Sequence, residues 1–336
     1  MAEIGYAAMF EQFHPTDLLT YCKQAEQNGF STVMASDHFH PWVPSQGHSA
    51  FVWAWLGALG VETKMRFGTG VTPPGYRYHP AVVAQAAATL EAMFPGRFWL
   101  GLGAGEALNE HILGEYWPEA PARLNKLVES IEVINKLFTG KVVKYRGEHI
   151  KMENAKLYTM PEKPPPVYVA TAGPIMSERT GRLCDGIITV GAADEKIHGL
   201  MERFEKGARE AGKDPSTMPR LIQIHISWAE SDQAALDQAV TEWPNGGMNF
   251  PKQDIRTPED FAAMAKLVRP ENFKGRVLCS ADLDVHREHV QHYFDMGFDE
   301  VYIHNVGRNQ TEFIEAFGKQ VIPQLNLDRT EAVATS

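Results

Sequence analysis

The sequence predicts a closed (β/α)8 TIM barrel with insertion segments at its C-terminal mouth. Three observations carry this. Short apolar runs alternate with longer amphipathic stretches about eight times, the rhythm of a parallel sheet built from βα units. The short runs are β-branched or apolar at nearly every position, as strands are when both faces are buried. No break in composition divides the 336 residues, a length suited to an α/β barrel with insertions, so one closed sheet is favoured over two doubly wound halves.

The strand candidates are residues 4–10, 31–36, 65–71, 98–105, 166–173, 185–191, 220–227, 275–280 and 300–306. Nine candidates for eight places mean that one lies in an insertion or is not a strand. Helices fall between them. The run HPTDLLTYCKQAEQNGF puts Pro15 at a helix start, apolar residues at helical spacing, and Gly29 as a stop. The runs that begin at His79, Ala122, Asp194 and Asp284 read the same way. Trp53 and Trp55, in FVWAWLG, are expected to pack the helix they sit on. Two segments leave the rhythm. Residues 141–166 read as a β-hairpin excursion ending in a proline run, and residues 243–260 as a Gly/Pro-rich insertion before a helix. Insertions of this kind decorate active-site mouths. The barrel is expected over residues 1–326, with 327–336 a loose polar tail.

A hydrophobic content of 44% and a charged content of 22% describe a globular chain with a real core. The formal net charge of −10 argues against a general nucleic-acid surface but leaves room for a local basic pocket. Cys22, Cys184 and Cys279 are odd in number and far apart, which suits reduced thiols and neither a disulfide framework nor a zinc knuckle. The N-terminus lacks a signal-peptide pattern and no apolar run reaches about 18 residues, so a cytoplasmic protein is expected.

In such barrels the chemistry is built at the C-terminal ends of the strands. Glu11 follows the first strand. Asp37, His38 and Trp42 follow the second, Glu106 and Asn109 the fourth, Ala172 and Gly173 the fifth. The stretch ASDHFHPWVPSQGHSAF also holds His40 and His48. Its histidines lack i, i+4 spacing and a cysteine partner, so a metal site is disfavoured. A polar loop with a capping Asp37 is the plain alternative. A histidine at a strand exit, with a carboxylate expected across the barrel at Glu106, favours a catalytic base, because imidazole takes a hydroxyl proton near neutral pH. GLGAGE lacks the GxGxxG spacing of a dinucleotide loop. TAGP places small residues before a helix, which either admits a phosphate to backbone N–H groups or simply makes a tight turn.

Together SDHFHPW, QGHSAFVWAWLGA, YRYHPAVVAQAAATLEAMFPGRF and GLGAGEALNEH resemble the deazaflavin-dependent oxidoreductases of the bacterial luciferase-like superfamily. Within it they are most similar to the coenzyme F420-dependent glucose-6-phosphate dehydrogenase group, over about residues 4–325. The resemblance implies a homodimer with the deazaflavin in the C-terminal mouth. It implies that His38 takes the substrate hydroxyl proton, that Glu106 protonates the ring as it accepts hydride, and that Trp42 shapes the site beside the reacting carbon. Asp37, Gly105, Asn109, Ala172 and Gly173 match cofactor contacts. Gly70 and Val71 match a peptide bulge, often cis, behind the ring. Glu11 matches a carboxylate at the sugar site. Two phosphate-holding cations of the group are matched by Lys252 and Arg276. A third is replaced by a neutral residue at Ala193, and a neighbouring histidine by Gln253; Lys196 and Arg77 are the available substitutes. Loss of one such cation is worth roughly 1–3 kcal/mol.

The leading expectation is therefore hydride transfer from C1 of a sugar 6-phosphate to coenzyme F420. The alternatives are an F420-dependent secondary-alcohol dehydrogenase or reductase, an FMN-dependent monooxygenase, and a barrel that binds a flavin-like ligand without turnover. Mere binding would need neither His38 nor Glu106.

Overall fold

The computed structural model describes residues 2–328. The strands are β1 (Glu3–Ala8), β2 (Thr32–Ala35), β3 (Arg66–Thr69), β4 (Phe98–Leu102), β5 (Val143–Arg146), β6 (Lys151–Ala155), β7 (Val167–Ala170), β8 (Gly186–Val190), β9 (Arg220–Trp228), β10 (Leu278–Ser280) and β11 (Glu300–Asn305). Eight of them run parallel in the order β9-β11-β1-β2-β3-β4-β7-β8, and β8 pairs with β9 to close the barrel. The ninth candidate is the one in an insertion. β10 is short and pairs only with the far end of β9, Leu278 opposite Ile226 and Ser280 opposite Trp228. The excursion at 141–166 is the antiparallel hairpin β5–β6, held to the preceding helix by Glu129, whose carboxylate accepts the N–H groups of Glu148, His149 and Ile150.

The strands are buried along nearly their whole length, β4 and β11 at every position. Their inward residues fill the barrel with Met34, Trp99, Tyr168, Ile188, Leu221 and Tyr302. So many rings fit only because facing positions carry no side chain. A Cβ at Gly5 would stand 2.3 Å from the Tyr302 ring, and one at Gly68 would stand 2.1 Å from Trp99. The outward residues pack against the helices in the main core.

Two helices, Pro15–Gln27 and Pro80–Met93, begin alike. A histidine side chain, His14 or His79, accepts the backbone N–H two residues on, and proline occupies the next position. The first ends where Gly29 adopts φ 93°, a left-handed conformation that only glycine takes without strain. Trp55 is buried against Phe10 and donates to Pro15 O, while Trp53 packs on Phe98. Leu327 accepts the Ala2 N–H at 3.0 Å, so the chain is tied down there; residues 329–336 of the expected tail lie outside the described residues. All three cysteines are free thiols. No described helix is long and apolar enough to cross a membrane.

Candidate active site

The exits of β1 and β2 are locked together before any site chemistry begins. Ser36 Oγ accepts the Phe10 N–H at 3.0 Å and donates to Glu11 Oε2 at 2.8 Å. Glu11 is fully buried, and its other oxygen lies 3.1 Å from His38 Nδ1, although the two are not aligned for a hydrogen bond. The carboxylate thus stands against the Nδ1 side of the ring and leaves Nε2 for a substrate. The resemblance matches Glu11 to a carboxylate at the sugar site; here it stands against His38 and lines neither cavity described below. Trp42 packs with its ring 5.1 Å from that of His38, and its Nε1 is buried with no partner among the described residues.

Asp37 is held from three directions. Thr72 Oγ1 donates to it at 2.6 Å, Tyr78 OH at 3.2 Å and Arg77 Nη2 at 3.3 Å. Arg77 also bonds Glu110 at 3.0 Å, so its charge is committed and cannot replace the missing cation. Lys196 is exposed on its helix and lines neither cavity. Neither available substitute therefore fills the place left at Ala193. The histidines of the opening stretch diverge: His40 meets Leu108 O and stacks on His111, while His48 packs on His14. No cluster of three or more metal-ligating groups occurs among the described residues.

Glu106 is the N-cap of the short helix Ala107–Glu110, and its Oε2 is buried without a partner among the described residues. Burial raises the pKa of this carboxyl above the usual range, with neighbouring His38 and Lys252 pulling the other way. A carboxyl in this position can keep a proton and donate it. Asn109 accepts the N–H groups of Phe39 and His40 through Oδ1, which ties the β2 loop to the β4 exit.

These groups converge on a cavity of about 670 Å³ at the C-terminal mouth. Its lining includes Asp37, His38, Gly70, Val71, Gly105, Glu106, Asn109, Ala172 and Gly173. The Gly70–Val71 peptide is cis. Leu124, Leu127, Met176 and Ile188 make the walls largely apolar. At Gly173, which opens the helix Pro174–Leu183, a Cβ would stand in open space; its N–H donates to Thr171 Oγ1 at 3.1 Å and Pro174 has none, so the helix N–H groups without an intrahelical partner begin at Ile175. A planar ring with an anionic tail fits this donor set, with Glu106 Oε2 as the unpaired buried atom facing it.

Lys252 and Arg276 lie outside that cavity. Lys252 Nζ donates to Asn245 O at 2.9 Å and packs over Trp42. It is within electrostatic reach of Glu106 on one side and of Arg276 and His225 on the other. Burial lowers its pKa. Arg276 and Ala193 line a second cavity of about 800 Å³. Gln253 lines the first, and its carbonyl accepts the Ala107 N–H, closing the insertion onto the β4 exit. Sequence reasoning missed a further group here. His225 and His304 meet Nδ1 to Nδ1 at 2.9 Å, and Gln12 supports His304. Alternation along QIHIS and YIHNV, which turns both histidines inward, was the available signal.

A family model described as luciferase-like monooxygenase matches residues 2–300. The chain belongs to this luciferase-like family. Within the family it falls in the group of F420-dependent glucose-6-phosphate dehydrogenases. The enzyme of that name from Microbacterium testaceum is 36% identical over 324 residues, 96% of each chain. The one from Gordonia bronchialis is 36% identical over 328 residues, 96% of this chain and 97% of the other. A solved F420-dependent secondary alcohol dehydrogenase, in complex with an F420-acetone adduct, superimposes on the luciferase-like barrel with a TM-score of 0.92 at 34% identity, covering 97% of this chain and 99% of that one.

Proposed function

We propose that this luciferase-like barrel is a coenzyme F420-dependent dehydrogenase of a sugar-phosphate-like substrate, with His38 as the base. The observation that carries the reading is the pairing of His38 with buried Glu11, at the edge of a cavity that also holds the unpartnered Glu106. Bound deazaflavin would supply a ring carbon that accepts hydride. His38 Nε2 takes the hydroxyl proton, and Glu11 stabilises the imidazolium that results. Glu106 keeps a proton at Oε2, ready for the charge that develops on the acceptor. Trp42 shields the reacting carbon from water and offers its N–H to the substrate. Asp37, Asn109, Ala172 and Gly173 hold the cofactor, while Lys252 and Arg276 hold the substrate's anionic end.

The reading includes a homodimer. The helices Val52–Glu62 and Pro80–Met93 expose Val61, Val82 and Met93 beside Ala54 and Ala58, a carbon-rich face suited to a second copy. A second substrate reading, a non-phosphorylated secondary alcohol, is favoured by Ala193 in place of a cation and by the likeness to the secondary alcohol dehydrogenase.

Anaerobic titration tests these. Oxidised F420 should bind, and glucose 6-phosphate should then bleach its long-wavelength absorbance. Bleaching by simple secondary alcohols alone would select the second reading. Failure to bind F420, with binding of FMN, would overturn both.

A further inference from the structure

His225 and His304 form a neutral pair that the reaction at His38 does not require. Their proton positions follow from Gln12. Its Nε2 donates to Val306 O at 2.9 Å and Glu242 O at 3.4 Å, so Oε1 is the atom that meets His304 Nε2 at 2.9 Å. An amide oxygen only accepts, so His304 carries its proton on Nε2. His304 Nδ1 then holds a lone pair, and His225 Nδ1 must donate to it. His225 is left with a lone pair on Nε2, which no protein group meets among the described residues. Burial, with Lys252 adding to it, lowers the His225 pKa to about 4, and burial takes His304 well below its ordinary value, so neither ring supplies a positive charge.

His225 lines the second cavity, whose volume of about 800 Å³ exceeds what a terminal phosphate needs. A phosphate monoester carries nearly two negative charges at neutral pH. This wall offers Arg276 and Lys274, with Lys252 within electrostatic reach of Arg276 behind it, an alanine at 193, and a lone pair that repels phosphate oxygens. Asp194 and Asp232 line it as well and offset two of the three positive charges. The arrangement suits one negative charge followed by a group that donates hydrogen bonds. We propose that the substrate is a sugar phosphodiester, whose second, hydroxylated alcohol enters this cavity and donates to His225 Nε2. The proposal rests on the dehydrogenase reading above and names the substrate class of that site.

The test compares glucose 6-phosphate with its glycerol diester, by calorimetric binding and by F420 bleaching. The diester should bind the wild type at least about tenfold tighter, the worth of one good hydrogen bond and a matched charge. Ala193→Lys, at an exposed helix cap, should reverse the preference. His225→Phe should weaken the diester about tenfold and not weaken the monoester, because it removes both the acceptor for the second alcohol and the lone pair that repels phosphate oxygens. Equal affinities in the wild type, or an equal effect of Ala193→Lys on both ligands, overturns the proposal. Tight diester binding without bleaching keeps the cavity assignment and sinks the dehydrogenase reading. Bleaching by the monoester with no preference for the diester does the reverse.

Discussion

At the N-terminal end of the barrel the starts of β1, β2, β3 and β11 brace one another. Arg66, opening β3, bonds Glu3 of β1 at 2.9 Å and Glu300 of β11 at 3.0 Å, and Tyr302 OH bonds Glu300 and meets Thr32 of β2 at 2.9 Å. At the C-terminal mouth the pattern inverts. Trp42 Nε1, Tyr76 OH, Glu106 Oε2 and Asn245 Oδ1 are buried with no partner among the described residues, and Glu11 and His38 face each other out of alignment. An unmade buried hydrogen bond costs about 1–3 kcal/mol, so such a cluster is not kept for stability. One end of the barrel closes the sheet and the other keeps polar groups ready for a ligand.

Single changes at the two ends should therefore separate activity from stability. The largest effect belongs to His38→Ala, which should lower kcat roughly a thousandfold, within the span of general base catalysis, and leave the F420 dissociation constant nearly unchanged. Wild-type turnover in that variant would remove the base assignment. Glu106→Gln should lower kcat about a hundredfold, read by stopped-flow bleaching. It should also change the pH dependence of stability in a defined direction. Below about pH 4 the carboxyl is protonated folded and unfolded alike. As pH rises toward the raised folded value, the unfolded chain ionises and the folded one resists, so the wild type loses stability that the glutamine variant keeps. Melting temperatures of the two should diverge with rising pH; parallel curves would show that Glu106 is not held neutral.

At the other end, Arg66→Met leaves Glu300 buried without its cation and should cost about 2 kcal/mol in denaturant unfolding with no change in kcat. A matching loss of turnover would erase the distinction between the two ends. The smallest effect is Lys252→Ala, expected to raise KM about tenfold for a phosphorylated substrate and not for its unphosphorylated analogue. Equal changes in both would detach Lys252 from the anion.

Much of this was legible because it is local. Strands buried on both faces and helices opened by His–Pro follow from residues a few positions apart. Strands stop short of their apolar runs: the candidate at 65–71 ends as β3 at Thr69, where the backbone turns into the cis Gly70–Val71 bulge. The candidate at 275–280 is an apolar run like its neighbours, and only its pairing with the far end of β9 shows that it is outside the barrel. That Glu11 stands against His38 and that Arg77 bonds Asp37 and Glu110 were not legible for the same reason. A residue's chemistry is written in its own side chain, but its partner is chosen elsewhere.

The sequence by itself determined the alternation of elements, the closed parallel barrel and the set of chemical groups at the strand exits, because periodicity and strand order are properties of neighbouring residues. The tertiary structure alone decided who faces whom: Glu11 behind His38, Arg77 spent between Asp37 and Glu110, and His304 bonded to Gln12 across a separation of 292 residues. Barrel closure brings distant strand ends within hydrogen-bond distance. Which groups then meet depends on packing that no local pattern encodes.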